Sequence, residues 1–247
     1  ALLAGTAGII GGVSLAQNAQ AEGLVINSKE ELHAIIKDYI LENPSVIFES
    51  VDRHRAAEEE RAQKDAETKI KDHIATLTAA DAPSIGSDNP DVTIVEFFDY
   101  NCGYCKRALA DIQTAIKDDP KVRVVFKEMA ILGPNSKTAA LWSLAAHKQG
   151  KYFDYHVALM NHNGPKNEEE LMKLAEKAGL DADKLKKDAE SPEVAAMLEK
   201  DMQIARDIGA SGTPAFIVGS QFIPGYVGED GLKAAIAEER SKAEGNS

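Results

Sequence analysis

Cys102 and Cys105 are the only cysteines in 247 residues, and they stand as Cys-Gly-Tyr-Cys directly after the apolar, β-branched run from Val92 to Tyr100. A pair that ends a strand and opens a helix puts the first sulfur beside unpaired helix N–H groups, whose positive potential favours thiolate over thiol. That is equipment for thiol-disulfide exchange. Three other uses compete for the pair. Structural zinc takes four Cys or His ligands, yet there is no second Cys-x-x-Cys, and His33, His54, His73, His147, His156 and His162 are scattered. A stabilising cross-link over so small a loop gains little entropy, and a chain this long can bury a core without staples. Copper(I) is harder to set aside, because soft thiolates suit it and two can suffice. No other copper motif accompanies them, since Met129, Met160, Met172, Met197 and Met202 are dispersed.

The elements that must position the pair can be laid out from the amino terminus. Ala1 to Ala16 carry no charge and are apolar or small, and Ala19-Gln20-Ala21 is a small-x-small cleavage signal before Glu22. Residues 1–21 therefore read as part of a secretory signal peptide, short of the roughly 20 apolar residues of a membrane span. The expected product is an exported protein in a bacterial periplasm, where disulfides persist. Its net charge of −12 argues against nucleic-acid and anionic-membrane partners.

Residues 22–51 read as a helical oligomerisation segment. Ser28 and Glu31 form a capping box, and Leu32, Ile35, Ile36, Tyr39 and Ile40 recur at helical spacing up to Asn43-Pro44. A second helix is expected from Ser45 to about Leu77, opening with Val46, Ile47, Phe48 and Val51. Residues 52–81 read as a charged helical linker, held by i,i+4 pairs such as Glu60 with Lys64, Asp65 with Lys69 and Glu67 with Lys71. A helix of that length extends roughly 50 Å at 1.5 Å per residue, so its start does not fold back easily. Two short helices cannot bury Leu32, Ile36, Ile40, Ile47, Phe48 and Val51 alone, and the expectation is packing against other copies. Docking on the chain's own remaining domain is the alternative.

Residues 82–247 read as one catalytic domain. Val92–Phe98 is a buried strand, Cys102 to about Lys117 a helix, and Val122–Phe126 a second strand. From Ser136 to Ile208 the pattern is helical, broken at Gly150, Asn163-Gly164-Pro165 and Gly179, with caps at Asn167, Asp181 and Ser191. Short strands at Ala215–Val218 and Gln221–Ile223 and a helix from about Glu229 to Lys242 close the chain. The order is β-α-β, a helical insertion, then β-β-α.

Phe97-Phe98-Asp99-Tyr100-Asn101-Cys102-Gly103-Tyr104-Cys105, with the later Gly212-Thr213-Pro214-Ala215-Phe216, resembles a thioredoxin-fold protein of the DsbA-like group. With the N-terminal helices and Phe126-Lys127-Glu128-Met129-Ala130-Ile131-Leu132-Gly133-Pro134, the chain most resembles the periplasmic suppressor-of-copper-sensitivity protein C (ScsC) subfamily. The resemblance implies an α/β thioredoxin fold with a helical insertion, preceded by a helical oligomerisation stalk. It implies Cys102 as exposed nucleophile, Cys105 as resolving thiol, and Glu96 as a buried acid that takes up the Cys105 proton. An outward-facing strand residue is the other reading of Glu96, since Val95 and Phe97 flank it. Gly103, Tyr104, Thr213 and Pro214 would meet substrate, with Thr213-Pro214 in the cis form. Gly103-Tyr104 lacks the His of strongly oxidising relatives, which leaves one cation fewer beside the thiolate.

The expected activity is that of a periplasmic disulfide isomerase without organic cofactor. It would work as an oligomer, by resemblance a trimer, through the faces of Leu32, Ile35, Ile36, Tyr39, Ile40, Ile47, Phe48 and Val51. Its partners would be mis-disulfide-bonded exported proteins and a membrane thiol reductase of the DsbD/ScsB type. The rival readings are a monomeric dithiol oxidase and a copper(I)-binding chaperone using Cys102 and Cys105.

Overall fold

The computed structural model describes residues 26–245. The expected signal segment, 1–21, lies outside them. The chain divides into two compact units between Arg55 and Ala56. No helix among the described residues is long and apolar enough to cross a membrane.

The first unit holds α1 (Lys29–Glu42) and the opening turns of α2 (Ser45–Leu77). Ser28 Oγ accepts from the Glu31 N–H, while the Glu31 carboxylate reaches the N–H of Asn27, one residue earlier than the capping box predicts. Asn43 ends α1, donating its N–H to Tyr39 O. α1 buries no residue. Ile35 and Ile40 are half-buried, and Leu32, Ile36, Tyr39, Ile47, Phe48 and Val51 are exposed, Phe48 by 70%. Of the three expected i,i+4 ion pairs further along α2, Glu60–Lys64 closes at 2.6 Å, and the other two are not within bonding distance among the described residues.

In the second unit a five-stranded sheet runs in the order β1-β3-β2-β4-β5. Its strands are β1 (Ser84–Gly86), β2 (Val92–Phe98), β3 (Val122–Glu128), β4 (Ala215–Val218) and β5 (Gln221–Pro224). β2 and β3 are parallel, which requires the crossover α3 (Gly103–Asp118), and the other pairs are antiparallel. Five helices, α4 (Pro134–His147), α5 (Tyr152–Asn161), α6 (Glu168–Lys177), α7 (Ala182–Ala189) and α8 (Pro192–Asp207), separate this βαβ half from the closing β4-β5-α9 (Gly228–Gly245). This is the expected thioredoxin arrangement with its helical insertion. Asn167, Asp181 and Ser191 cap α6, α7 and α8.

Strand alternation divides the core in two. Val92, Ile94 and Phe98 of β2, Val124 and Phe126 of β3, and Phe216 and Val218 of β4 join α3, α4, α5 and α9. Val95, Phe97, Val125, Ala215 and Ile217 face the other way, into a smaller core with Ile204 and Ile208. Ile70 and Leu77, both fully buried, complete that second core.

Residues 52–81 are therefore not a linker along their whole length, which corrects the sequence reading. Ala66, Ile70 and Leu77 form a buried stripe of α2 against the sheet. Arg123 donates to the carbonyls of Thr78 and Ala79, just past the end of α2, at 3.1 and 2.8 Å, and Ala79 O also accepts from Ala82 N–H. The sequence also conceals β1, three residues long and thus too short for periodicity. Gly86 lies at φ 102°, and a Cβ there would stand 2.4 Å from Val122 O, so only glycine fits. Ile70→Ala should destabilise the protein by about 2–5 kcal/mol, and Ile74→Ala, on an exposed position, by less than about 1 kcal/mol, compared by urea denaturation.

Candidate functional site

β2 delivers the chain to Cys102, which is the N-cap of α3 with extended φ and ψ of −80° and 119°. Its Sγ accepts from the Cys105 N–H at 3.4 Å and donates to Thr213 O at 3.2 Å. Both cysteines are free thiols. Cys102 keeps 7% of its surface exposed and Cys105 none, because Cys105 already lies on the stripe of Ala108, Leu109 and Ile112 that faces the core. Gly103 and Tyr104 are exposed between them, Thr213 is half-buried, Pro214 is buried, and the Thr213–Pro214 peptide is cis. Both sulfurs are thus buried, which corrects the expectation of an exposed nucleophile, and Cys102 alone of the two retains any exposed surface.

Glu96 is buried to 1% exposure on the same sheet face as Ile94 and Phe98, beneath α3. Alternation does not expose it, since helices cover both faces of the sheet. Its Oε1 has no hydrogen-bond partner. Burial, and then the Cys102 sulfur, push its pKa up to about 8. Burial, then the Glu96 charge, push the Cys105 thiol far above the ordinary thiol range. An acid held protonated near neutrality and a thiol that resists ionisation therefore share one apolar environment, where a proton moving between them would not leave the protein.

Asp99, which residue spacing gave no reason to single out, fixes this geometry. Its Oδ2 accepts from the N–H groups of Ile131 and Leu132, both at 2.9 Å. Its Oδ1 accepts from Asn101 N–H and Ser136 Oγ, both at 2.7 Å. One carboxylate thereby joins the turn before Cys102 to the β3–α4 loop. Asn101 also donates to Ser136 Oγ at 2.8 Å and accepts from the buried Lys166 at 3.2 Å. Beneath them the Tyr100 hydroxyl lies 2.6 Å from Ser143 Oγ, 3.1 Å from His156 Nδ1 and 3.2 Å from Glu128 Oε1, to which Tyr152 donates at 2.8 Å. Burial holds Glu128 well above the carboxylate range and lowers His156 to about 3, so the imidazole is neutral. The only sequence trace of either network is a polar residue inside an apolar strand pattern.

The expected site residues Glu96, Cys102, Gly103, Tyr104, Cys105, Thr213 and Pro214 gather around the head of α3. Leu32, Ile35, Ile36, Tyr39, Ile40, Ile47, Phe48 and Val51 belong to the first unit. No group of three or more His, Cys, Asp or Glu side chains placed to hold a metal occurs among the described residues. A copper(I) ion at the cysteines would rest on the two sulfurs alone.

Residues 93–237 match the DSBA-like thioredoxin domain, and residues 29–61 match the copper resistance protein ScsC N-terminal domain. A thioredoxin-like oxidoreductase from Silicibacter pomeroyi is 43% identical in sequence and superposes with a TM-score of 0.65, over 68% of this chain and 97% of that one. Disulfide bond formation protein D of Bacillus subtilis is 29% identical over 170 residues, covering 64% of this chain and 76% of its own. Na(+)/H(+) antiporter NhaA 3 of Salinispora tropica is 29% identical over 160 residues, 62% of this chain. This chain spans only 24% of that antiporter's length.

A raised carboxyl pKa makes stability fall with pH. The folded state keeps a proton that the unfolded state releases above about 4.5, and the contribution is lost as pH rises to about 8. Glu96→Gln should therefore match the parent's thermal midpoint at pH 4 and exceed it at pH 9, as read by calorimetry of the reduced proteins.

Proposed function

This chain belongs to the DsbA-like thioredoxin family, and we propose that it is a periplasmic thiol-disulfide oxidoreductase that isomerises disulfides as an oligomer. The observation that carries the exchange reading is Cys102 at the α3 N-cap, hydrogen-bonded to Thr213 O. Its thiolate attacks one sulfur of a substrate disulfide, forming a mixed disulfide and expelling a substrate thiolate. That thiolate can then attack another disulfide of the substrate, and a final attack returns the electron pair to Cys102. Where rearrangement stalls, Cys105 resolves the complex. Once Glu96 has given up its own proton, its carboxylate takes that of Cys105, the Cys105 sulfur bonds to Cys102, and the substrate leaves as a thiolate. The oxidised pair then needs an external dithiol, which we assign to a membrane thiol reductase of the DsbD/ScsB type.

The isomerase reading rests on the first unit. Leu32, Ile36, Tyr39, Ile47, Phe48 and Val51 are exposed apolar side chains on two short helices, a patch of the kind that marks an interface. Self-association, as a trimer, covers them and brings several Cys102 sulfurs to one mis-paired substrate. Tyr104, Ile131, Leu132, Tyr226 and Val227 add an exposed apolar rim on the loops near Cys102, suited to unfolded rather than native chains. Signal-directed export and copper(I) binding at Cys102 and Cys105 remain part of this proposal as its localisation and its alternative chemistry.

Cys102→Ser should abolish exchange, while Cys105→Ser should accumulate mixed disulfides with substrate, visible on non-reducing gels. Ile36→Asp would bury a charge in the proposed interface. It should dissociate the oligomer in sedimentation experiments and lower reactivation of a scrambled-disulfide substrate by about tenfold or more, as multivalency is lost, with dithiol oxidation retained. An unchanged mass would remove the oligomer from the proposal. Monomer mass with unchanged isomerisation would separate the activity from the assembly.

A further inference from the structure

From Ala56 onward, the exposed large apolar side chains are Ile74, Tyr104, Ile131, Leu132, Tyr226 and Val227. All but Ile74 lie on the α3 start, the β3–α4 loop and the β5–α9 loop. On one side of this rim the rings of Tyr104 and Tyr226 meet at 5.8 Å with an interplanar angle of 34°. The Arg107 guanidinium lies over the Tyr104 face, 5.2 Å from its centroid.

Arg107 is exposed and, among the described residues, makes no ion pair and no hydrogen bond. Its natural i,i+4 partner would be Asp111. Asp111 instead lies beside the Tyr226 phenol, whose pKa it raises. The neighbouring cation is also engaged elsewhere, since Lys106 donates to His162 O and Asn163 Oδ1 at 3.1 and 2.9 Å. Arg107 thus stands as a preset, unpaired cation on an aromatic platform, in a chain whose net charge of −12 repels anions in general.

We propose that Arg107, seated on Tyr104, determines specificity by taking a carboxylate of the substrate chain close to its reacting cysteine. Arg107 is five residues past Cys102 on the helix, about 7.5 Å along its axis. An extended polypeptide covers about 3.3 Å per residue. Five residues also turn about 140° around the axis, so the axial rise is the least separation, and the acidic side chain it meets is at least two residues from the substrate sulfur bonded to Cys102. The guanidinium fork suits a carboxylate, and the aromatic face fixes its orientation beforehand. The inference rests on the thiol-disulfide exchange reading and names a substrate class for it: polypeptides with Asp or Glu at that spacing from cysteine.

The test uses the full chain carrying Cys105→Ser and short peptides whose one cysteine is capped as a methyl disulfide. In attack on the peptide sulfur, Cys102 thiolate forms the mixed disulfide and expels methanethiolate, so the adduct can be counted by mass spectrometry. Peptides with Glu two and three residues from the cysteine, on either side, are compared with the matching Gln peptides. The expected Glu-over-Gln ratio of adduct formation rates is about three to five on the better side. It should fall to near one in Arg107→Gln, stay partly in Arg107→Lys, and shrink at high salt. A ratio near one in the parent, or the same ratio in Arg107→Gln, would overturn the assignment. Equal slowing of both peptides with a shifted ultraviolet thiolate titration would place Arg107 on the Cys102 charge instead, and also overturn it. No adduct with any peptide, in a protein with intact circular dichroism, would overturn the exchange reading itself.

Discussion

The carboxylate of Asp99 accepts four hydrogen bonds while only 1% exposed. Three of its donors are backbone N–H groups of irregular chain; Ile131 N–H also reaches Met129 O at 3.0 Å, and a buried N–H left without any partner would cost roughly 1–3 kcal/mol. The interaction therefore decides where β2 may end and where the β3–α4 loop must turn. Because Asn101 is one of those donors, Cys102 follows at a fixed point and becomes the cap of α3. The Cys102 sulfur, the Cys105 sulfur one turn later and the rim residues Ile131 and Leu132 take their positions from this carboxylate.

The chemistry then follows from a difference in environment between two identical groups. Cys102 accepts from the Cys105 N–H at a helix start, while Cys105 and Glu96 are enclosed in the core. Burial penalises a charge at the second place. In the proposed exchange reaction, attack begins at Cys102, the only one of the two with any exposed surface, and Glu96 becomes an acceptor for the Cys105 proton once it has ionised. Neither behaviour is intrinsic to cysteine.

The smaller core on the opposite sheet face serves another end. It closes only because α2 contributes Ile70 and Leu77 and because Arg123 holds the end of that helix. Lys127 and Asp201 form a buried ion pair at 3.1 Å on that face, with Asp201 also accepting from Glu128 N–H. One helix thus starts in the first unit with an exposed apolar face and ends as part of the core of the second.

The sequence by itself determined the elements whose periodicity or capping is local. β2, α3, the caps Asn167, Asp181 and Ser191, and α2 from Ser45 to Leu77 are legible because each is set by alternation, helical spacing or a side chain bonding its own backbone. The Cys-x-x-Cys pair was legible for the same reason. Apart from the family resemblance, only tertiary structure decided that Glu96 is buried, since strand alternation gives opposite faces without saying that both are covered. It alone turned the end of a charged helix into core, because Ile70 and Leu77 find their partners on Val95, Val125 and Ile217, far away in sequence. It alone revealed Asp99 as a brace and set Arg107 over Tyr104. Those roles depend on what long-range packing brings within a few ångströms, and no spacing along the chain encodes them.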